Sequence, residues 1–153
     1  MFFIGILTDK NSENNIKGFF KDKLNNNEMI FLNGSNLENF RNVKFDSLVI
    51  NNKVEDKYLL NKIIDKSRYV LYNSDIEGNS EPYNGASKFI SYGYSSKANV
   101  TISSVTDDNY LLYMQGFNND LFDMQEVKFE KKQKNINVYD GMIVTIINLI
   151  YKK

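Results

Sequence analysis

The chain contains no cysteine and no histidine, and a single proline in 153 residues. Lack of cysteine excludes disulfides and thiolate nucleophiles, and without histidine as well the usual zinc ligands are gone. Every general base or triad built on imidazole is excluded with them. Acid–base chemistry would fall to carboxylates, lysine or tyrosine, and no cofactor or metal is expected. An excess of one charge is also missing. Lys plus Arg and Asp plus Glu number 19 each, so no long-range field draws the chain to nucleic acid or an anionic membrane. Long apolar runs are absent too: Met142 to Tyr151 reaches only about half of the roughly 20 residues a membrane-spanning helix needs. Met1 to Leu7 is apolar but runs into Thr8-Asp9-Lys10 with no basic segment and no small-residue cleavage site. That pattern reads as a first strand, not a signal peptide, and a cytoplasmic location is the expectation.

What is present reads as one domain over 1–153, a length that buries roughly 68–70% of the unfolded chain's surface. Apolar runs Phe2 to Leu7, Met29 to Leu32, Ser47 to Ile50 and Tyr69 to Tyr72 alternate with helical patterns at Ile16 to Leu24 and Lys57 to Lys66. Such alternation predicts βαβ units and a parallel sheet flanked by helices. Leu59, Leu60, Ile63 and Ile64 line one face of the second helix. Ile76 to Ser87, holding Gly78, Pro82 and Gly85, reads as a loop. A strand at Lys88 to Tyr92 precedes three β-rich segments, Ala98 to Val105, Tyr110 to Gln115 and Met124 to Lys131. Alternation puts Val100, Ile102 and Ser104 on one face and Thr101, Ser103 and Val105 on the other. Thr106-Asp107-Asp108-Asn109 suits a hairpin turn, so an antiparallel meander added to the parallel sheet is expected. An apolar helix from about Val138 to Tyr151 ends the chain, buried on most sides or packed on a second subunit.

Several stretches carry a family likeness in order along the chain. Tyr92-Gly93-Tyr94-Ser95-Ser96-Lys97-Ala98-Asn99-Val100 resembles the Mur ligase stretch Tyr-Gly-Phe-Asn-x-Lys-Ala-Asp-Val, which leads into a β-meander. Tyr69 to Asp75 resembles that family's Val-Val-Leu-Asn-Ala-Asp-Asp strand end, and Asn135-Ile136-Asn137-Val138-Tyr139-Asp140 resembles its His-Asn-Val-Tyr-Asn before a helix. Val49-Ile50-Asn51-Asn52 looks like the strand ending in Thr-Asn before an Asp-His pair. Tyr58 with Lys62 is similar to the Tyr-x-x-x-Lys whose lysine the family carbamylates to hold magnesium. The resemblance implies a shortened ATP-binding middle domain, Rossmann-like or P-loop-like, without the family's N- and C-terminal domains.

The same likeness exposes what has been lost. A P-loop turns glycine-flanked backbone N–H groups and a lysine toward phosphates, and a Ser or Thr toward magnesium. Thr8-Asp9-Lys10-Asn11-Ser12-Glu13 stands in that place with no glycine after Gly5 and two added acids. Lys53-Val54-Glu55-Asp56 replaces the Asp-His pair. Phosphoryl transfer depends on positioning and electrostatics, so the expectation is a non-catalytic relative acting as a binding or interaction module. Its partner would be another protein or a second copy, its link to cell-wall precursor metabolism is ancestral only, and nucleotide binding is not expected. The competing expectation is a nucleotide- or UDP-muramyl-ligand-binding protein, or an enzyme, with a rebuilt site.

Four residues carry that second expectation: Lys10, Asn73, Asp75 and Asn137. Lys10 follows the first strand and suits an anion, but Asp9 and Glu13 beside it suit plain solvent exposure. Asn73 and Asp75 close a parallel strand, where α/β sheets bind ligands, and turn formation accounts for them equally. Asn137 matches a family asparagine near adenine, or else caps the last helix. Lys62 suits a solvated helix position, and Asp107 and Asp108 suit a cation or, more simply, a solvated turn. Tyr92 and Tyr94 would share one side if the strand stayed extended.

Overall fold

The computed structural model describes residues 2–21, 27–76, 88–115, 123–132 and 136–151. The segment 77–87, read above as a loop, lies outside the described residues, as do Leu24 and Asn135. The described elements are β1 (Phe2–Leu7), α1 (Lys10–Phe20), β2 (Asn27–Leu32), a 3₁₀ turn (Leu37–Phe40), β3 (Ser47–Ile50), α2 (Lys57–Lys66), β4 (Tyr69–Asn73), β5 (Phe89–Tyr92), β6 (Val100–Val105), β7 (Asn109–Met114), β8 (Gln125–Glu130) and α3 (Val138–Tyr151). Hydrogen bonding orders the strands β2-β1-β3-β4-β5-β6-β7-β8. The fold is α/β with a mixed, mostly parallel sheet that ends in an antiparallel meander, as expected. Two compact units divide the chain, Met1–Tyr72 and Asn73–Lys153. Among the described residues no helix is long and apolar enough to cross a membrane.

In the first unit β1 pairs in parallel with both β2 and β3, and β3 with β4. Ile4 to Leu7 and all of β3 are buried, the continuous burial of strands covered on both faces. Gly5 serves close packing: a Cβ there would lie 2.9 Å from the ring of the fully buried Phe45. Helix α1 starts six residues before the expected Ile16, because Ser12, Ile16 and Phe20 form its buried stripe and a serine occupies the first position. Apolar periodicity is blind to that turn; the Asp9 cap sets it. Helix α2 spans the predicted residues and buries the predicted four side chains.

In the second unit β5 and β6 are parallel although only residues 93–99 join them. Parallel neighbours usually need a crossover of a dozen residues, but here the sole partners are Tyr92 and Val100, so β6 begins where β5 ends. The hairpin turn falls where foreseen, with the Thr106 N–H on the Asn109 carbonyl at 2.9 Å and the Asn109 N–H on Thr106 Oγ1 at 3.0 Å. One expectation is corrected. The pairing shifts between Ile102 and Ser104, so Val105 pairs with Tyr110 and Ser104 with Leu111. This bulge places Val105 on the face of Val100 and Ile102 and sends Ser104 to the opposite one.

Helix α3 packs on β6, β7 and β8, with Val138 and every residue from Asp140 to Ile147 buried. The first of the two alternatives for this helix holds: its cover comes from the chain itself. Gly141 lets it approach, since a Cβ there would meet the Phe129 ring at 3.0 Å and the Tyr110 ring at 3.2 Å. Those rings lie parallel, 6.2 Å apart, and the Tyr110 hydroxyl donates to the Ile136 carbonyl at 2.7 Å. Gly141→Val should therefore destabilise the fold by about 1–3 kcal/mol through overpacking, measured by urea denaturation against wild type.

Candidate functional site

In the first unit, two residues after β1 lead into α1. Asp9 adopts an extended conformation, and its Oδ1 accepts the Ser12 N–H at 2.8 Å, closing the first turn of α1. Lys10 is exposed, and its ammonium donates to Glu13 Oε2 at 2.6 Å, with Lys17 on the same oxygen at 3.2 Å. Those two lysines, Lys10 first, hold the Glu13 carboxyl below its usual range. Beside them Asn51 Nδ2 donates to Thr8 Oγ1 at 3.0 Å, tying the end of β3 to the end of β1. Lys10 is thus ion-paired at the surface.

Helix α2 begins the same way, with Asp56 Oδ1 on the Leu59 N–H at 3.0 Å. Of the four residues Lys53 to Asp56, Val54 is buried and Lys53, Glu55 and Asp56 are exposed. The Lys62 ammonium sits 4.7 Å from the centroid of the Tyr58 ring, which is 70% exposed. Among the described residues no group of three or more His, Cys, Asp or Glu side chains is placed to hold a metal ion.

The second unit ties Asn73 to Asp75, and Asp75 to Tyr139 in the first turn of the helix that Asn137 precedes. Buried Asn73 accepts the Asp75 N–H on Oδ1 at 3.0 Å, and its carbonyl accepts the Ile76 N–H at 3.3 Å. That is an Asx turn, the chemistry that makes asparagine frequent at strand ends. It turns the chain so that Asp75 Oδ2 receives both the Tyr94 N–H at 2.9 Å and the Tyr139 hydroxyl at 2.8 Å. Gly93 makes the approach possible: a Cβ there would stand 2.8 Å from Ser74 Oγ and 2.9 Å from the Asp75 carboxyl carbon. The Tyr94 and Tyr139 rings meet edge to face, 5.6 Å between centroids. Asn137 Oδ1 accepts the Asp140 N–H at 2.9 Å while its carbonyl accepts the Gly141 N–H at 3.2 Å. Asn137 is the N-cap of α3.

Tyr92 and Tyr94 do not share a side. Strand β5 stops at Tyr92, which is fully buried, and Tyr94 lies in the following turn, 56% exposed. The residues missed by sequence reasoning are Tyr139 and the packing role of Gly93. Tyr139 stood inside a stretch already singled out, but only its distance to Asp75, 64 residues away in sequence, reveals what it does.

Burial first, then the hydrogen bond to Asp75 and that carboxylate's charge, push the Tyr139 hydroxyl well above the usual phenol range. Burial, followed by the nearby Asp140, does the same for Tyr92. A phenol held this way is a fixed donor at neutral pH, not a nucleophile. A scan against protein-family models finds none that matches the chain, and a search of curated proteins finds no match either.

Both phenols keep their protons in the fold to a pH at which unfolded tyrosines, near 10, lose theirs. Their contribution to stability is complete below that pH and declines as pH rises through it, by up to about 1.4 kcal/mol per pH unit per proton. Tyr139→Phe should lower stability by about 1 kcal/mol at neutral pH and flatten the alkaline decline, as read by denaturant midpoints from neutral pH upward.

Proposed function

We propose that this chain is a Mur ligase middle-domain-like module that has given up ATP-dependent ligation and serves as a binding or interaction module, with another protein or a second copy as its partner. The arrangement of Asp9 and Glu13 supports this reading most directly. A nucleotide triphosphate needs the N–H groups at the start of α1 and an unengaged lysine. The Asp9 carboxylate already sits on the Ser12 N–H, and Lys10 is engaged by Glu13. An incoming phosphate would have to displace one acid and approach the other. Asn73, Asp75 and Asn137, the residues of the competing ligand-binding reading, likewise spend side-chain oxygens on backbone N–H groups. A link to cell-wall precursor metabolism rests on the resemblance alone.

The test is a thermal-shift titration with ATP, ADP and UDP-muramyl precursors, with and without magnesium. A ligand binding only the native state at a hundred times its Kd adds about 2.7 kcal/mol, a readily measured rise. No shift is expected with any of them. A saturable rise with a nucleotide would overturn this reading in favour of a nucleotide-binding protein.

A further inference from the structure

Among the described residues the sheet ends at β2 and β8, and these two edge strands are built differently. Strand β8 exposes Gln125, Glu126, Lys128 and Glu130, and charged residues of this kind on an edge discourage a further strand. Strand β2 carries one charge, Glu28, and then Met29-Ile30-Phe31-Leu32, with neither proline nor lysine. Its register against β1 runs unbroken over six residues, and Met29, Ile30 and Phe31 are only half-buried.

The hydrogen-bond phase tells which of its backbone groups point away from the sheet. Phe3 and Leu7 accept the Asp46 and Asn51 N–H groups, so odd-numbered residues of β1 face β3 and even-numbered ones face β2. In a parallel ladder each such residue bonds the neighbours of its register partner. With Ile4 opposite Met29 and Ile6 opposite Phe31, Glu28, Ile30 and Leu32 turn their backbone groups to β1, and Met29 and Phe31 turn theirs outward. Asn36 Nδ2 on the Phe31 carbonyl, at 3.1 Å, fits that direction. The side chains alternate as well: Phe31, with the Lys17 ammonium 5.1 Å from its ring centroid, shares the α1 face with Met29, and Ile30 takes the other.

We propose that β2 pairs antiparallel with β2 of a second copy of this chain about a twofold axis at Ile30. The proposal deepens the interaction-module reading and rests on it for the class of partner. This register joins the outward backbone groups of Met29 and Phe31 and keeps Glu28, opposite the copy's Leu32, at the two ends of the ladder. It sets Met29 opposite the copy's Phe31, each pair exchanging both bonds, and Ile30 opposite its own copy. A carbonyl has two lone pairs, so Phe31 can keep Asn36. Centring on Glu28 puts two carboxylates face to face, which is unfavourable, and centring on Met29 moves Glu28 from the ends of the ladder to its middle, against Ile30. Centring on Phe31 needs the Asn33 N–H, which already donates to Asn36 Oδ1 at 2.8 Å.

Light scattering behind size exclusion should show the mass rising with concentration from 17.8 kDa to twice that. Ile30→Lys should abolish the rise by setting two ammonium groups together, with its thermal melt checked for folding. Met29→Pro, which removes an outward N–H and no bond to β1, should abolish it too, its melt checked in the same way. Amide exchange of Met29 and Phe31 should slow with concentration in the unmodified chain, a reading that needs no variant. Glu126→Lys on β8 should leave the dimer intact. A monomer throughout, a dimer that survives both β2 variants, or one lost with Glu126→Lys would overturn the proposal. A nucleotide-silent monomer would remove this contact and leave the non-ATP reading standing; a nucleotide shift would remove that reading whatever the mass.

Discussion

The start of a helix leaves backbone N–H groups that something must satisfy, and in this chain the protein itself does so at α1, α2 and α3. Asp9, Asp56 and Asn137 place side-chain oxygens on Ser12, Leu59 and Asp140 at 2.8, 3.0 and 2.9 Å. In α/β sheets those N–H groups are where phosphates and other anions are held. A carboxylate tethered one residue ahead of the helix is always present at high effective concentration, so a free anion competes poorly with it. At α1 the two effects have one cause: the residue that fixes the helix start also opposes a phosphate.

Glycines mark the other constraint, and they do so by absence of a Cβ. Gly5 admits the Phe45 ring over β1, Gly141 lets α3 settle onto Phe129 and Tyr110, and Gly93 lets Asp75 reach the Tyr94 N–H. The first two build the core. The third builds the polar cluster, and it couples the turn after β5 to the end of β4 and the start of α3 through one carboxylate oxygen shared by Tyr94 and Tyr139.

The fold was legible where burial imposes a pattern. Apolar runs marked β1, β3 and β4, the Leu59 to Ile64 face marked α2, and α3 was recovered over its whole length. Legibility failed where a polar atom, not a pattern, decides. The early start of α1 depends on Asp9 and a buried Ser12, and the face of Val105 depends on a bulge that no alternation can announce. The candidate site was half legible. Asn73, Asp75 and Asn137 stand out by their places at a strand end and a helix start, and the choice between a ligand and a structural role for each turns on neighbours that sequence does not supply.

Those alternatives are two uses of the same atoms. A side-chain oxygen at the end of a parallel strand can meet a ligand or a backbone N–H, and the choice follows from how close the backbone comes. Asp75 makes both of its contacts on Oδ2, while Oδ1 lies 2.9 Å from where a Gly93 Cβ would be. Any larger residue at position 93 would push the carboxylate away from the Tyr94 N–H and release it toward solvent. Glycine at position 93 therefore has a local role: it lets Asp75 sit against the turn after β5, where its oxygen serves the fold.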